Sequence, residues 1–237
     1  MAANDEAPSV VSERDDILDR HLAEVLERLR IEVVIDVGAS WGQYRGLLRK
    51  LGFTGRIVSF EPVGRPWGHC AALAAEDPAW HVHRMAIGAR SGQRTIKVGS
   101  SDDFSSFRPL SAYGRETFDE LDVTGEERVA VRPLDALWPE LIGAESRRVF
   151  LKTDTQGWDL QVYRGARKHL DRVLGTQCEV AVQRLYRRMP GYHRSLKFLE
   201  RRGYALTGIY PVWRDGALRI GELDCVMARP EAMSVSS

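Results

Sequence analysis

The chain has 237 residues, 43% of them hydrophobic and 28% charged, enough to bury one good-sized core, so a single principal domain is expected. With 34 Lys and Arg against 33 Asp and Glu, the formal charge is +1, which excludes any global pull towards nucleic acid or an anionic membrane; only local patches could carry such an interaction. Cys70, Cys178 and Cys225 are odd in number and form no Cys-x-x-Cys pair, which argues against a disulfide framework or a zinc knuckle and fits a reducing compartment.

The first ten residues read as disordered, and "MAANDEAPSVVSERDD" is acidic without an apolar run. Ser12 with Asp15 three positions later marks a helix start, and Ile17, Leu18, Leu22, Val25, Leu26 and Leu29 recur at helical spacing. Residues 1–30 are therefore read as a tail and accessory helix, 31–230 as the main domain and 231–237 as a flexible tail. No stretch approaches the roughly 18 apolar residues that spanning a bilayer requires, so a cytoplasmic protein with no membrane partner is expected.

After the first helix, short β-rich runs alternate with helical ones: a strand at 33–37, a helix from about 42, a strand at 57–60, a helix near 67–75 and a strand at 81–87. That rhythm predicts an α/β fold with a mostly parallel sheet. Residues 93–98 and 128–131 look like extra short strands around a polar segment. The alternation resumes with a strand at 149–153, a helix at 159–170, a strand at 176–182 and a helix ending near Arg202. The runs 204–210 and 223–228 flank "PVWRDGALRIGE", too short for a crossover helix, so these strands must pair antiparallel.

The stretch "VVIDVGASWGQYRGLL" ends a strand, bends on Gly38 and Gly42, and carries Asp36 in the turn. Glycines allow the bend and a close ligand approach, and the amides of Ala39, Ser40 and Gln43 open the next helix. A dinucleotide turn would carry Gly-x-Gly-x-x-Gly and no acid, because a carboxylate would repel the pyrophosphate. An acid suits S-adenosylmethionine, which bears a sulfonium and an amino acid but no phosphate. Glu61, followed by Pro62 in "IVSFEP", comes at about the 20-residue spacing of a ribose-gripping acid. The plainer alternatives are that Asp36 caps the next helix and Glu61 is a surface acid. Met85 and Ala86 end the next strand, where their backbone would frame the adenine.

At these residues the chain resembles the FkbM family of S-adenosylmethionine-dependent methyltransferases. The likeness continues through "VFLKTDTQGWDLQVYRGARKHL", "QCEVAVQRLY", "FLERRGYAL" and "ELDCVMA", covering about 33–228. The grouping of Lys152, Asp154 and Gly157 is its most specific part; Ser40, Trp41 and Asp159 depart from the usual pattern. The resemblance implies a Rossmann-like class I methyltransferase fold, with a mostly parallel seven-stranded sheet, an antiparallel C-terminal strand and helices on both faces. It also implies O-methyl transfer from S-adenosylmethionine, with S-adenosylhomocysteine as product, to a hydroxyl of a small molecule such as a sugar or natural product.

Asp154 ends a central strand at the carboxyl edge, where open α/β sheets collect ligands, and is read as facing both cofactor and acceptor. Glu179 in the following strand could meet it to accept a proton or hold a divalent ion; no third ligand is evident, so a metal is not favoured. Lys152 alternates to the same face as Asp154 and should pair with one of these acids. The alternative is a purely structural ion-pair cluster. "GSSDDFSSFRPLSAYG" has the composition of a surface loop, and the FkbM resemblance implies a serine-containing insert near the acceptor, so Ser105, Ser106 and Phe107 are candidate substrate contacts; the alternative is a merely flexible polar loop. His81 and His83 share a strand face and could form a base or ligand pair.

Residues 184–202 are rich in arginine with interleaved tyrosines, which suggests either a solvated helix face or an RNA-binding stretch. An RNA-binding or RNA-modifying methyltransferase is thus the second functional reading, although the overall charge makes nucleic acid the less expected partner. A nicotinamide-dependent reductase would want Tyr-x-x-x-Lys, but Tyr163 is followed by Arg167 and Tyr192 by Leu196. A homodimer is left open.

Overall fold

The computed structural model describes residues 10–100, 104–118, 123–144, 146 and 148–233. The disorder expected at the extreme N-terminus, the Ser12 side chain and residues 234–237 of the expected tail lie outside the described residues. In chain order the elements are α1 (Val10–Arg28), β1 (Val33–Val37), α2 (Gln43–Lys50), β2 (Arg56–Phe60), α3 (Gly64–Ala74), β3 (Trp80–His83), β4 (Ala86–Ile87) and β5 (Gly92–Gly99). Then come α4 (Ala112–Thr117), β6 (Val123–Arg132), α5 (Leu134–Leu137) running into a π-helical turn (Trp138–Gly143), β7 (Val149–Thr153) and α6 (Asp159–Gly165). The chain closes with β8 (Val173–Ala181), α7 (Tyr192–Glu200), β9 (Ala205–Arg214), β10 (Ile220–Ala228) and α8 (Pro230–Met233).

Seven strands form one sheet in the order β3-β2-β1-β7-β8-β10-β9. All neighbours are parallel except around β10, which runs antiparallel to both β8 and β9. The reversal is made by Asp215, whose Oδ1 accepts from the amides of Ala217 and Arg219 at 3.0 Å each, turning the chain tightly enough that only an antiparallel return is possible. A second sheet, β4-β6-β5, stands beside the carboxyl edge of the first.

β1 and β7 are buried along their whole length, as central strands of a sheet covered on both faces must be. Because successive side chains alternate, Val33, Ile35, Leu151, Val180 and Met227 enter one core with Trp138, Val162 and Tyr163. Val34, Ile57, Phe150 and Val226 enter the other, against Leu22, Val25 and Leu29 of α1 and Leu48 of α2. The N-terminal helix is thereby part of the second core, fastened further by the Tyr210 hydroxyl at 2.8 Å from His21 Nδ1. Among the described residues no helix is long and apolar enough to cross a membrane.

Three elements differ from expectation. The strand expected at 81–87 is broken, because Met85 N donates to His83 O (3.0 Å) and turns Ala86 and Ile87 away to pair with β6. α6 ends at Gly165, not near 170: Gly165 packs against the Gly88 backbone, where a Cβ would come within 2.2 Å of the Gly88 carbonyl oxygen. The basic stretch is not one helix. Leu185, Tyr186 and Met189 are buried in a turn that leaves Arg184, Arg187 and Arg188 exposed on its outside, and helix begins only at Tyr192.

Candidate functional site

The strand register lays a polar row under the carboxyl edge, on the α1/α2 face. Ser59 of β2, Asp36 of β1, Lys152 of β7 and Gln177 of β8 are successive cross-strand partners. Trp80 Nε1 donates to Ser59 Oγ (2.9 Å), which donates to Asp36 Oδ2 (3.2 Å). Lys152 Nζ lies 3.2 Å from Asp36 Oδ1 and donates to Gly38 O (2.9 Å). Tyr44 of α2 donates to Gln177 Oε1 (3.0 Å) and closes the row.

Burial pushes Asp36 up, with Lys152 opposing; burial alone would lower Lys152, but Asp36 and then Asp154 outweigh it and hold the ammonium protonated. Asp36 has no exposed surface and belongs to the strand, not to the turn where the sequence suggested it. Its charge reaches the site through the Lys152 it fixes.

Above the row, the turn after β1 is built by contacts. Gly38 (φ +83°) is the position where a Cβ would fall 1.8 Å from Asp154 O, so the turn and the end of β7 close on each other only over glycine. Asp154 N donates to Val37 O (3.0 Å) and Gln156 Nε2 to Asp154 Oδ1 (3.0 Å). Glu61, 5% exposed, accepts from Ser40 N at 2.9 Å on one oxygen and from Val63 N at 2.8 Å on the other. It therefore clips the first turn to the second, and it lines the cleft. Burial pushes it up to about 7.

These turns bound a cleft of about 990 Å³, at the upper end of the usual range for small-molecule sites. Phe60, Pro62, Ala86, Ile87, Ile96 and Phe107 form an apolar slot beside Glu61. Beyond Lys152 the floor carries Asp154, Glu179, Glu222 and Asp224, walled by Phe104, Phe118 and Trp213. Asp15, Leu18 and Asp19 of α1 close the side next to α2.

Of the residues singled out in the sequence, Gly38, Ala39, Ser40 and Gln43 line the cleft, as do Glu61, Pro62 and Ala86 on one side and Lys152, Asp154 and Glu179 on the other; Ser105 and Phe107 reach it from the loop after β5. Asp36, Gly42, Met85 and Ser106 are not on its surface. Gly42 packs on Trp80, and Met85 turns into the core. Ser106 is buried, donating to Gln156 O at 2.8 Å and so bracing the loop against the β7 end. His83 stacks on Phe60 at 5.5 Å, away from the cleft. Sequence reasoning missed Tyr44, Gln177, Trp213, Glu222 and Asp224. The signal for Glu222 and Asp224 was their two-residue spacing in an otherwise apolar strand.

Among the described residues, no three His, Cys, Asp or Glu side chains converge in a metal-holding arrangement. What the lining does offer is unmet polar groups: Thr155 Oγ1, Gln156 Oε1, Trp158 Nε1 and Glu222 Oε1 are buried without a hydrogen-bond partner, and all four residues face the cleft.

The buried acids of the cleft make the stability of the fold depend on pH. Burial pushes up Glu61 and Glu222 to about 7 and Asp159 to about 6, so protonation favours the folded state. That stability is fully present below the ordinary carboxylate range and is lost as pH rises through about 7; Glu61 alone accounts for about 3 kcal/mol. His21 and His83, both lowered mainly by burial, oppose it more weakly. Calorimetric unfolding should give a higher Tm at pH 6 than at pH 8, and Glu61→Gln should flatten the difference.

An open sheet with one antiparallel strand next to its β9 edge, and a cleft at the carboxyl ends of β1, β2 and β7 that is lined by the glycine turn after β1, Glu61 and Asp154, defines a Rossmann-like class I methyltransferase fold. The methyltransferase FkbM domain matches residues 36–206. The chain belongs to the FkbM methyltransferase family. No curated protein matches it.

Solved structures similar to it are distant. They include an rRNA methylase from Streptococcus thermophilus (10% identity, 90% of this chain and 94% of that chain, TM-score 0.44). The N-terminal domain of human METTL16 in complex with SAH is similar at 9% identity, 94% and 72% coverage and TM-score 0.49. Precorrin-6y C5,15-methyltransferase from Geobacter metallireducens is similar at 13% identity, 96% and 92% coverage and TM-score 0.42.

Proposed function

We propose that this protein transfers a methyl group from S-adenosylmethionine to a hydroxyl of a small molecule, a sugar or natural product. The observation that carries the reading is the division of one cleft into an apolar slot beside Glu61 and an acid floor at Asp154 and Glu179. The slot accepts a purine, and the free lone pairs of Glu61 accept ribose hydroxyls. The amides of the Gly38 turn and the unmet Thr155 and Gln156 groups suit the amino acid end of the cofactor. S-adenosylmethionine supplies an electrophilic methyl carbon on a sulfonium.

The chain's part is to hold the acceptor oxygen in line with that carbon, which contributes on the order of 7–11 kcal/mol, and to take its proton. With the cofactor bound, the oxygen–carbon bond would form as the carbon–sulfur bond breaks, and S-adenosylhomocysteine would leave as the neutral thioether. We assign the proton to Asp154, whose side chain is 37% exposed; Glu179 on the neighbouring strand is pushed up by burial and then by Asp154, so it receives a proton only when it is itself ionised. A nucleic-acid acceptor fits less well, because a floor of carboxylates repels phosphates; an RNA substrate would instead predict binding that falls steeply with salt and depends on Arg187 and Arg188.

Glu61→Gln tests the cofactor half. Glutamine offers one acceptor oxygen where Glu61 uses two, so the dissociation constant for S-adenosylhomocysteine should rise about 10–100-fold in calorimetry. An unchanged constant would remove Glu61 from the nucleoside site.

A further inference from the structure

The far end of the cleft has a chemistry that the cofactor does not use. Glu222 is 3% exposed; its Oε2 accepts from Trp213 Nε1 at 3.0 Å, while Oε1, also buried, meets no N–H donor and has only the neighbouring Glu179 carboxyl to share a proton with. Glu179 stands on the adjacent strand β8, where its direct cross-strand partner is Asp224 and that of Glu222 is Ala181. The forces acting on Glu179 after burial come from Asp154, Glu222, Asp224 and Asp159, all of them acids. Lys152, the nearest cation in the polar row, is engaged by Asp36 and Gly38 O. Trp213 meets Phe118 edge-on at 5.1 Å, and Phe118 lies 5.3 Å from Phe104, so the wall facing these acids is a run of aromatic rings.

Each kind of occupant can be weighed against this. An anion would meet carboxylates, and a neutral hydroxyl would bring no positive charge to hold both acids ionised. A metal ion would need a converging set of donors, which is lacking among the described residues. A protonated amine supplies N–H donors to Glu222 Oε1 and Glu179, relieves the repulsion and presents its positive charge to aromatic faces.

We propose that the space between Glu179, Glu222 and Trp213 is a subsite for a protonated amine, so that the methyl acceptor is a small molecule carrying a basic nitrogen near its acceptor hydroxyl. The proposal rests on the methyltransferase reading of the cleft and narrows its substrate class.

The test compares two probes of equal shape, benzylamine and benzyl alcohol, titrated near neutral pH into protein saturated with S-adenosylhomocysteine. Benzylamine should bind about tenfold tighter or more, the ratio that one charge-assisted hydrogen bond gives, and the preference should vanish in Glu222→Gln and in Glu179→Gln. Glutamine at 222 keeps an acceptor for Trp213 and removes a repulsive charge, so that variant should fold; if it does not, Glu179→Gln carries the same comparison. Equal binding of the two probes, binding of neither, or an amine preference surviving in the variants overturns the proposal. If S-adenosylhomocysteine itself is not bound, the functional reading fails, and the same comparison in the ligand-free protein still decides the amine subsite.

Discussion

Lys152→Met will destabilise the protein by about 3–5 kcal/mol, because it strands the Asp36 carboxylate beneath the sheet edge with its charge uncompensated. The loss should be visible as a large drop in the midpoint of denaturant unfolding. It has a built-in control. In the double variant Asp36→Asn, Lys152→Met no charge is left buried, and most of the stability should return. Activity should not return with it, since Lys152 also holds the Gly38 carbonyl at 2.9 Å and lies 4.0 Å from Asp154. Recovery of both stability and turnover in the double variant would mean that the pair only supports the fold.

Asp154→Asn will leave the fold intact and lower kcat by about 10²–10⁴-fold, the usual contribution of a positioned proton acceptor. The substitution is nearly isosteric, and the backbone bond from Asp154 N to Val37 O (3.0 Å) is untouched. Affinity for S-adenosylhomocysteine should change little by comparison, because the nucleoside contacts lie on the Glu61 side. Single-turnover measurements separate the two effects. If turnover survives in Asp154→Asn, Glu179 carries the proton, and the loss should then appear in Glu179→Gln.

Much of this architecture could be read from the chain before any coordinates, and the reasons are specific. The strands 33–37 and 149–153 each open on three apolar, mostly β-branched or aromatic residues and are bounded by turn residues, and both are found with those bounds. The antiparallel return of β10 followed from a connection too short to cross over. Glu61 was identifiable because a strand that ends in an acid puts it at the carboxyl edge whatever the register.

What was misread depended on register and on packing at a distance. Asp36 looked like a turn residue, yet it is the fourth position of β1 and faces Lys152 and Ser59, which lie more than 100 and about 20 residues away in the chain. Nothing local distinguishes an acid that touches a ligand from one that anchors a lysine below it. The family resemblance points to the serine-containing loop without telling its residues apart: Ser105 and Phe107 reach the cleft, while Ser106 points back to Gln156 O. Glu222 and Asp224 went unread because their meaning comes from β8, whose pairing with β10 sets Asp224 opposite Glu179.

The central claim is that a sulfonium nucleoside lies along the carboxyl edge between Glu61 and Asp154. Crystals grown with S-adenosylhomocysteine test it most directly. The ribose hydroxyls should lie within hydrogen-bond distance of Glu61, the purine in the slot formed with Phe60 and Ile87, and the sulfur on the Asp154 side. Density for the nucleoside outside this cleft, or a cleft that stays empty at saturating ligand, would contradict it.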